Sequence, residues 1–590
     1  MKKLLHTLTL LTFALTSMGL AAPVDLVDEA PVSIKRVSSN VILVDFGRVS
    51  FANIQLTPPA NNPQQVTVHF GEDLQNGRIN REPPGSVRYA KAEVQLNGSS
   101  PILAAPPADV RNTKSGSAKT PPAMLTPKEW GVVLPFRWVE IDGWPGELLP
   151  KQIVRKSAFA KTWDDNAASF ESSDTMLNRI WELCRYSIKA TTFAGVYVDG
   201  DRERIPYEAD AYLNQLSHYA TDNDILMARH TFDHLMEYPT WPTEWAFHMI
   251  FMAHADYRHT GDSKWLSARY ESLKRKLLLE RAREDGLLTS KAEHIKKLDL
   301  VDWPMTERDG FVFKTVNTVV NAFHIRSLQM MAEMANALGK DKESAEYTAM
   351  ATKAHAAFQR MLYDPAKGAY RDGEGTDHAS QHASLFPLAF GLVPAEHIPA
   401  VVSSIQKRGM ACSVYAAQYL MEGLFANGAE THAMELITAP TDRSWRHMVE
   451  SGATITWEAW DQKYKPNQDW NHAWGAAPAN LLPRFILGAE PLTPGWKQTR
   501  IRPQTAKLAF AKGKIPTPHG PIMVDWKNDT SFRMKLDLPV GIIAQLEIPA
   551  SPSSKGVTID GRPVAATRVG SYWHLNQEVS GSVTIDVNPS

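Results

Sequence analysis

Two short stretches of the 590-residue chain concentrate the groups that can move protons. The first is Asp199-Gly200-Asp201-Arg202-Glu203-Arg204-Ile205-Pro206-Tyr207-Glu208-Ala209-Asp210, five carboxylates and two guanidiniums in twelve residues. A charge run is usually a solvated face. Here the flanks are apolar and aromatic, from Phe193 to Val198 and at Tyr207 and Tyr212. Arg interleaved with acid points to paired, fixed carboxylates. A carboxyl in an apolar wall beside other acids stays protonated, whereas one beside Arg stays ionised. The second stretch is Ala453-Thr454-Ile455-Thr456-Trp457-Glu458-Ala459-Trp460-Asp461, followed by Asp469-Trp470-Asn471-His472-Ala473-Trp474. It sets one acid between two indoles.

An acid and a base on separate segments, among aromatic rings, suit glycoside hydrolysis. One carboxylic acid protonates the leaving oxygen, and a second carboxylate acts from the other face of the sugar ring. The 17 Trp extend the theme, since an indole face stacks on the C–H face of a pyranose. Trp241-Pro242-Thr243-Glu244-Trp245 and Asp302-Trp303-Pro304 again set indoles beside acids and a helix-breaking proline. Lys plus Arg number 63 against 64 Asp plus Glu, so no net field favours nucleic acid. Two cysteines, Cys184 and Cys412, read as buried thiols or as one disulfide; they cannot build a structural zinc site. No metal-ligand spacing is seen, and no cofactor is expected.

Three kinds of pattern must position these groups. Residues 1–22 read as a Sec-type signal: Lys2 and Lys3, an apolar run from Leu4 to Leu20, then Ala21-Ala22-Pro23. No other stretch is long enough to span a membrane. Residues 23–168 read as strands, with Val66, Val68 and Phe70 alternating with polar residues, as do Val94 and Leu96; Pro101 to Pro122 reads as a surface loop. Residues 169–490 turn helical, with helices expected over 176–188, 211–236, 243–260, 264–280, 316–338, 342–362 and 413–427. At about 27 residues per helix and loop there is room for roughly twelve, the number of an (α/α)6 barrel. Residues 491–590 alternate again, at Phe532, Met534, Leu536 and at Ala544, Leu546, Ile548. The expected architecture is a helical barrel between two β-sandwich domains.

The chain resembles bacterial α-L-rhamnosidases of glycoside hydrolase family 78 along nearly its whole length after the leader. Asp45-Phe46-Gly47-Arg48, Phe70-Gly71-Glu72 and Phe136-Arg137-Trp138-Val139-Glu140 resemble the family's N-terminal β-domain. Phe170-Glu171-Ser172-Ser173-Asp174 with Leu177-Asn178-Arg179-Ile180 resembles the lead-in to its barrel. The stretch from Pro491 to Trp526 resembles the passage into the C-terminal β-domain. The most specific matches are Arg202-Glu203-Arg204 with Asp210, and Thr454 to Asp461 with Asn471-His472 and Gly475. The resemblance implies Glu203 as general acid and Glu458 as general base. It places Arg202, Asp210 and His472 at the substrate, with Asp199 or Asp201 in the leading acidic position, and Asp302-Trp303 as a lining pair. Two departures stand out. The spacer after Asp199 is one residue short, and Pro206-Tyr207-Glu208-Ala209 replaces a commoner Gly-Trp-x-Gly.

The resulting expectation is an exo-acting, inverting α-L-rhamnosidase, periplasmic or extracellular, taking a rhamnose-containing glycoside. Trp303, Trp457 and Trp460 are expected to form an aromatic slot for the sugar's 6-methyl. Two rivals stay open: a polysaccharide lyase using Tyr207 or His472 as base, and a non-catalytic sugar-binding protein.

Overall fold

The structure is a computed structural model that describes residues 23–59, 63–116 and 121–588; the expected leader lies outside the described residues. The N-terminal unit is one continuous eight-stranded antiparallel sheet. Its axis is the 16-residue strand Val41–Leu56, flanked by Ile153–Ala160 and Leu134–Asp142. The register breaks between Asp45 and Ser50, with Gly47 at φ 80°, so the strand bends there. The bend lets a single sheet close, sandwich-like, around Ile42, Val44, Leu56, Val66, Val68, Phe70, Val94, Phe136 and Ile141. Its other face carries Phe51, Val133 and Ala158 onto Phe193, Val196 and Val198 of the barrel's lead-in. Phe51 and Phe193 stack with centroids 3.7 Å apart.

Six helices form a closed inner ring: Glu208–Tyr219, Thr243–Thr260, Thr318–Ala337, Gln381–Ala389, Val414–Ala426 and Ala477–Leu481, each touching the next and the last touching the first. They are buried almost all round, as ring helices must be; in Glu208–Tyr219 only Leu216 is not fully buried. Six more lie outside them: Thr175–Ala190, Leu226–Glu237, Ser263–Leu273, Asp341–Leu362, Ile398–Arg408 and Glu430–Ile437. These bury one stripe only; Ile398–Arg408 buries Val401 and Ile405, four residues apart. Two short helices, Ala292–Lys297 and Trp445–Glu450, complete the fourteen among the described residues.

The helix expected over 211–236 is two helices, broken at 220–225. Asp224 accepts Leu226 N (2.7 Å) and Asp222 accepts Asp164 N (3.1 Å), so the acids serve a turn. The stretch 264–280 likewise ends its α-helix at Leu273, with Leu278 left-handed.

The C-terminal unit packs a seven-stranded sheet on a five-stranded one. The first of the seven is Ser169–Ser172, which pairs antiparallel with Phe510–Ile515 although it precedes the barrel in sequence. The barrel is thus strapped to the C-terminal unit at both of its ends. Phe532, Met534 and Leu536 face the core, as do Ala544, Leu546 and Ile548. Cys184 and Cys412 are both free and buried. Among the described residues no helix is long and apolar enough to cross a membrane.

Candidate active site

Outer and inner helices alternate along the chain, from the outer Thr175–Ala190 to the inner Ala477–Leu481, so the inner six run the same way. Their N-termini share one mouth, where the partial positive ends of the helices favour acidic groups. The loops before Glu208–Tyr219, Thr318–Ala337 and Ala477–Leu481 bring 199–207, 302–304 and 453–476 to that mouth. The opposite mouth holds a cavity of about 920 Å³, but its acids are paired: Glu422 and Glu490 with Arg484, Glu333 with His254.

The two acidic motifs interlock. Gly200, at φ 130°, passes so close to the second motif that a Cβ would stand 2.7 Å from Asp469 Oδ2 and 3.1 Å from the Asn471 carbonyl oxygen. Asn471 Oδ1 accepts Asp201 N (2.7 Å). Glu458, 1 % exposed, is gripped from the first motif by the Arg202 fork at 2.8 and 3.2 Å, and Lys465 reaches it at 3.0 Å. Trp474 Nε1 donates to the Glu458 carbonyl (3.1 Å), fixing the backbone. Three strong donors occupy a carboxylate that accepts about four. The remaining contact, Asp469 N to Oε2, is a long 3.4 Å, so Oε2 is the oxygen with room for a water.

Glu203 differs in setting. It is half-buried, and Tyr207 Oη donates to its Oε2 at 2.9 Å. Tyr207 is held by Trp245, ring edge to face at 5.5 Å.

The two acids competing for the leading position have different partners. Asp201 is fully buried and engaged: Arg204 donates at 2.6 and 2.9 Å, and Arg88 from the N-terminal sheet binds its other oxygen. Asp199 accepts Ile205 N (2.9 Å) through Oδ1, and its buried Oδ2 has no partner among the described residues. Burial pushes the Asp199 carboxyl well above the usual range, against the pull of Arg202 and His472, which favours its protonated, donating form.

His472 sits between two carboxylates, Nε2 on Asp210 (2.6 Å) and Nδ1 on Asp469 (3.3 Å). Burial alone would lower its pKa; the two acids reverse that and raise it to about 10. Asp210, Asp469 and Glu458 therefore face Arg202, Lys465 and His472. Glu458, Asp469 and His472 come close enough together to suggest a metal triad. However, both ring nitrogens are taken and two cations adjoin Glu458, so the donors do not suit a divalent ion.

Several expected contacts change character. Both ring nitrogens of His472 are occupied, so it holds Asp210 rather than meeting a sugar directly. The Arg202 guanidinium serves Glu458 in the same way. Trp460 is a core residue: fully buried, edge-on to Trp445 at 5.0 Å, and donating to the Cys412 carbonyl at 2.8 Å. Trp457 is buried with Trp470 stacked against it at 5.2 Å, which leaves the half-buried Trp470 nearer the opening. Trp303 is half-buried, with Lys465 Nζ 5.8 Å from its ring centroid. Asp302 does not face a ligand: it accepts from His382 (2.6 Å), Ser413 N (2.9 Å) and Trp303 N (2.8 Å). Glu244 caps Leu300 N and Val301 N at 2.8 and 3.0 Å. Neither base of the lyase reading is free, because Tyr207 donates to Glu203 and His472 is an imidazolium.

Residue types and spacing do not mark the support from the N-terminal unit. Arg88 bridges Asp201 and Asp109, Asn112 donates to the Asp201 carbonyl (2.9 Å), and Glu72 accepts from Asn471 (3.0 Å). Asp109 and Asn112 lie in the stretch read as a surface loop, and nothing local signals that they turn inward.

Comparison with known proteins decides the family. Residues 165–486 match the bacterial alpha-L-rhamnosidase 6 hairpin glycosidase domain. The chain belongs to this family. Residues 35–159 match the bacterial alpha-L-rhamnosidase concanavalin-like domain, and residues 488–561 the C-terminal domain. An alpha-L-rhamnosidase of Alteromonas sp. (strain LOR) is 25 % identical over 580 residues, which is 91 % of this chain and 59 % of that protein. The alpha-L-rhamnosidase structure from Dictyoglumus thermophilum superposes with a TM-score of 0.80 at 18 % identity, covering 96 % of this chain and 64 % of that one. The Streptomyces avermitilis alpha-L-rhamnosidase complexed with L-rhamnose gives 0.77 at 19 %, covering 97 % and 54 %. The chain thus spans less than two thirds of the length of these relatives.

Proposed function

We propose that this member of the family is an exo-acting α-L-rhamnosidase that inverts the anomeric centre, with Glu203 as general acid and Glu458 as general base. The observation that carries the reading is the contrast between the two carboxyls at one mouth. Glu203 is half-buried with a single phenol on one oxygen. Glu458 is buried, clamped by Arg202 and Lys465, with one oxygen less occupied. Glu203 protonates the glycosidic oxygen as the C–O bond breaks, and the bond's electron pair goes to the leaving oxygen. Glu458 takes a proton from the water that adds to C1 on the other face.

Asp199, whose donating form burial favours, and Asp210, as an acceptor oriented by His472, are the groups we assign to the rhamnose hydroxyls. Trp303 and Trp470 are assigned to its 6-methyl. The relative solved with L-rhamnose supports this choice of sugar. The leader-like segment supports export to the periplasm or medium.

Glu203→Gln and Glu458→Gln should each fold as the parent and lose turnover on an alkyl α-L-rhamnoside, whose leaving group must be protonated. If either keeps near-parental turnover, its assignment fails. NMR of the first-formed sugar should show β-L-rhamnose; initial α-L-rhamnose would mean retention and a nucleophilic Glu458.

A further inference from the structure

The segment Pro206-Tyr207-Glu208-Ala209, where the chain departs from the commoner pattern of its family, places a phenol on the acid. Tyr207 Oη donates to Glu203 Oε2 at 2.9 Å. Tyr207 is the residue just before the Glu208–Tyr219 helix, with extended backbone at φ −127° and ψ 145°. The helix start and the Trp245 contact fix the ring, so the phenol is a rigid donor.

We infer that Tyr207 is a positioning residue for proton delivery: by occupying Oε2 as a donor, it leaves Oε1 as the oxygen that carries the proton to the leaving group. This rests on the reading of Glu203 as the acid. As the proton leaves Oε1, negative charge spreads onto Oε2, and the phenol's hydrogen bond becomes charge-assisted and stronger. The contact therefore gains strength along the reaction coordinate, the condition for lowering the barrier rather than only tightening binding. The phenol itself stays protonated. Burial, and then the carboxyls of Asp199, Glu203 and Asp210 that face it, push its ionisation far up, while the Thr243–Thr260 helix sets the Trp245 ring against it. A tryptophan at this position would have no hydroxyl to offer.

Tyr207→Phe keeps the ring and its packing and removes only the donor. With methyl or disaccharide rhamnosides, whose alkoxide leaving groups need full protonation, kcat should fall about 10–100-fold, the range for a hydrogen bond to a charged group. With 2,4-dinitrophenyl α-L-rhamnoside, which departs without a proton, kcat should change little. The high-pH limb of kcat/KM should move to higher pH, because losing the donor disfavours the carboxylate form of the acid. An equal loss on all leaving groups, or an unmoved high-pH limb, overturns the inference. Glu203→Gln run alongside separates the two ideas: if it stays active on alkyl rhamnosides the assignment of the acid fails, whereas a dead Glu203→Gln beside a parental Tyr207→Phe removes only the role of Tyr207.

Discussion

At the residue scale, the site works by giving chemically similar acids different partners. Asp199 and Asp201 are two residues apart and both buried, yet burial pushes the carboxyl of one well up while the other is saturated by Arg88 and Arg204. Asp199 binds its proton more tightly folded than unfolded. Its contribution to stability is thus full below about pH 4 and is lost as pH rises from there through the folded-state value. Asp199→Asn should consequently raise the melting temperature at pH 7 and erase that part of the pH dependence, while weakening inhibition by free rhamnose. A lower melting temperature at pH 7 with the pH dependence unchanged would overturn this sign. Spacing alone leaves Asp199 and Asp201 equivalent candidates. They are separated by Arg88, 113 positions upstream of Asp201, which no local pattern announces.

At the element scale, the loop 199–207 depends on what lies beneath it. Gly200 is required by the close approach to Asp469 and Asn471, and its φ suits no other residue. Gly200→Ala should cost stability and nearly abolish turnover, even though it touches neither Glu203 nor Glu458; parental kcat in this variant would mean the two motifs need not interlock. Arg88→Met should lower stability by about 3–5 kcal/mol, the scale for breaking a buried ion pair, with Arg204 moderating the loss. The measurements are denaturant unfolding together with kcat. The longer helices were legible in hydrophobic spacing because each buries a stripe or a whole surface; the shorter Gln381–Ala389, Ile398–Arg408, Glu430–Ile437 and Ala477–Leu481 were not among the expected stretches. The break at 220–225 was not legible either: Thr221 bonds back to the Ser217 carbonyl (2.8 Å), and Asp222 answers Asp164 from another segment. A stretch whose polar groups are satisfied at a distance reads as helix.

At the scale of the whole molecule, three units share one site and one frame. The N-terminal sheet reaches the two acidic motifs through Arg88, Asn112 and Glu72, and Ser86 N donates to the Gln468 carbonyl (2.9 Å). The C-terminal unit holds the barrel through Ser169–Ser172, and Trp526 Nε1 donates to the Ile486 carbonyl (2.9 Å). Trp526→Ala should cost about 3–5 kcal/mol by opening a cavity under the last ring helix, read as a fall in the unfolding midpoint with rhamnose affinity retained in the folded fraction. A truncation after residue 488 would strip the partners from Ser169–Ser172 and is expected to aggregate. The sequence by itself determined the three-part architecture, the helical middle part and the two motifs that hold the acids, since alternation, helical spacing and residue types are local properties. Only the tertiary structure decided which aspartate is free, that Trp460 belongs to the core, that His472 and Arg202 orient acids, and that Tyr207 sits on Glu203. Each of these depends on partners that are distant in the chain or on a three-dimensional placement, and a carboxylate's role follows from what surrounds it.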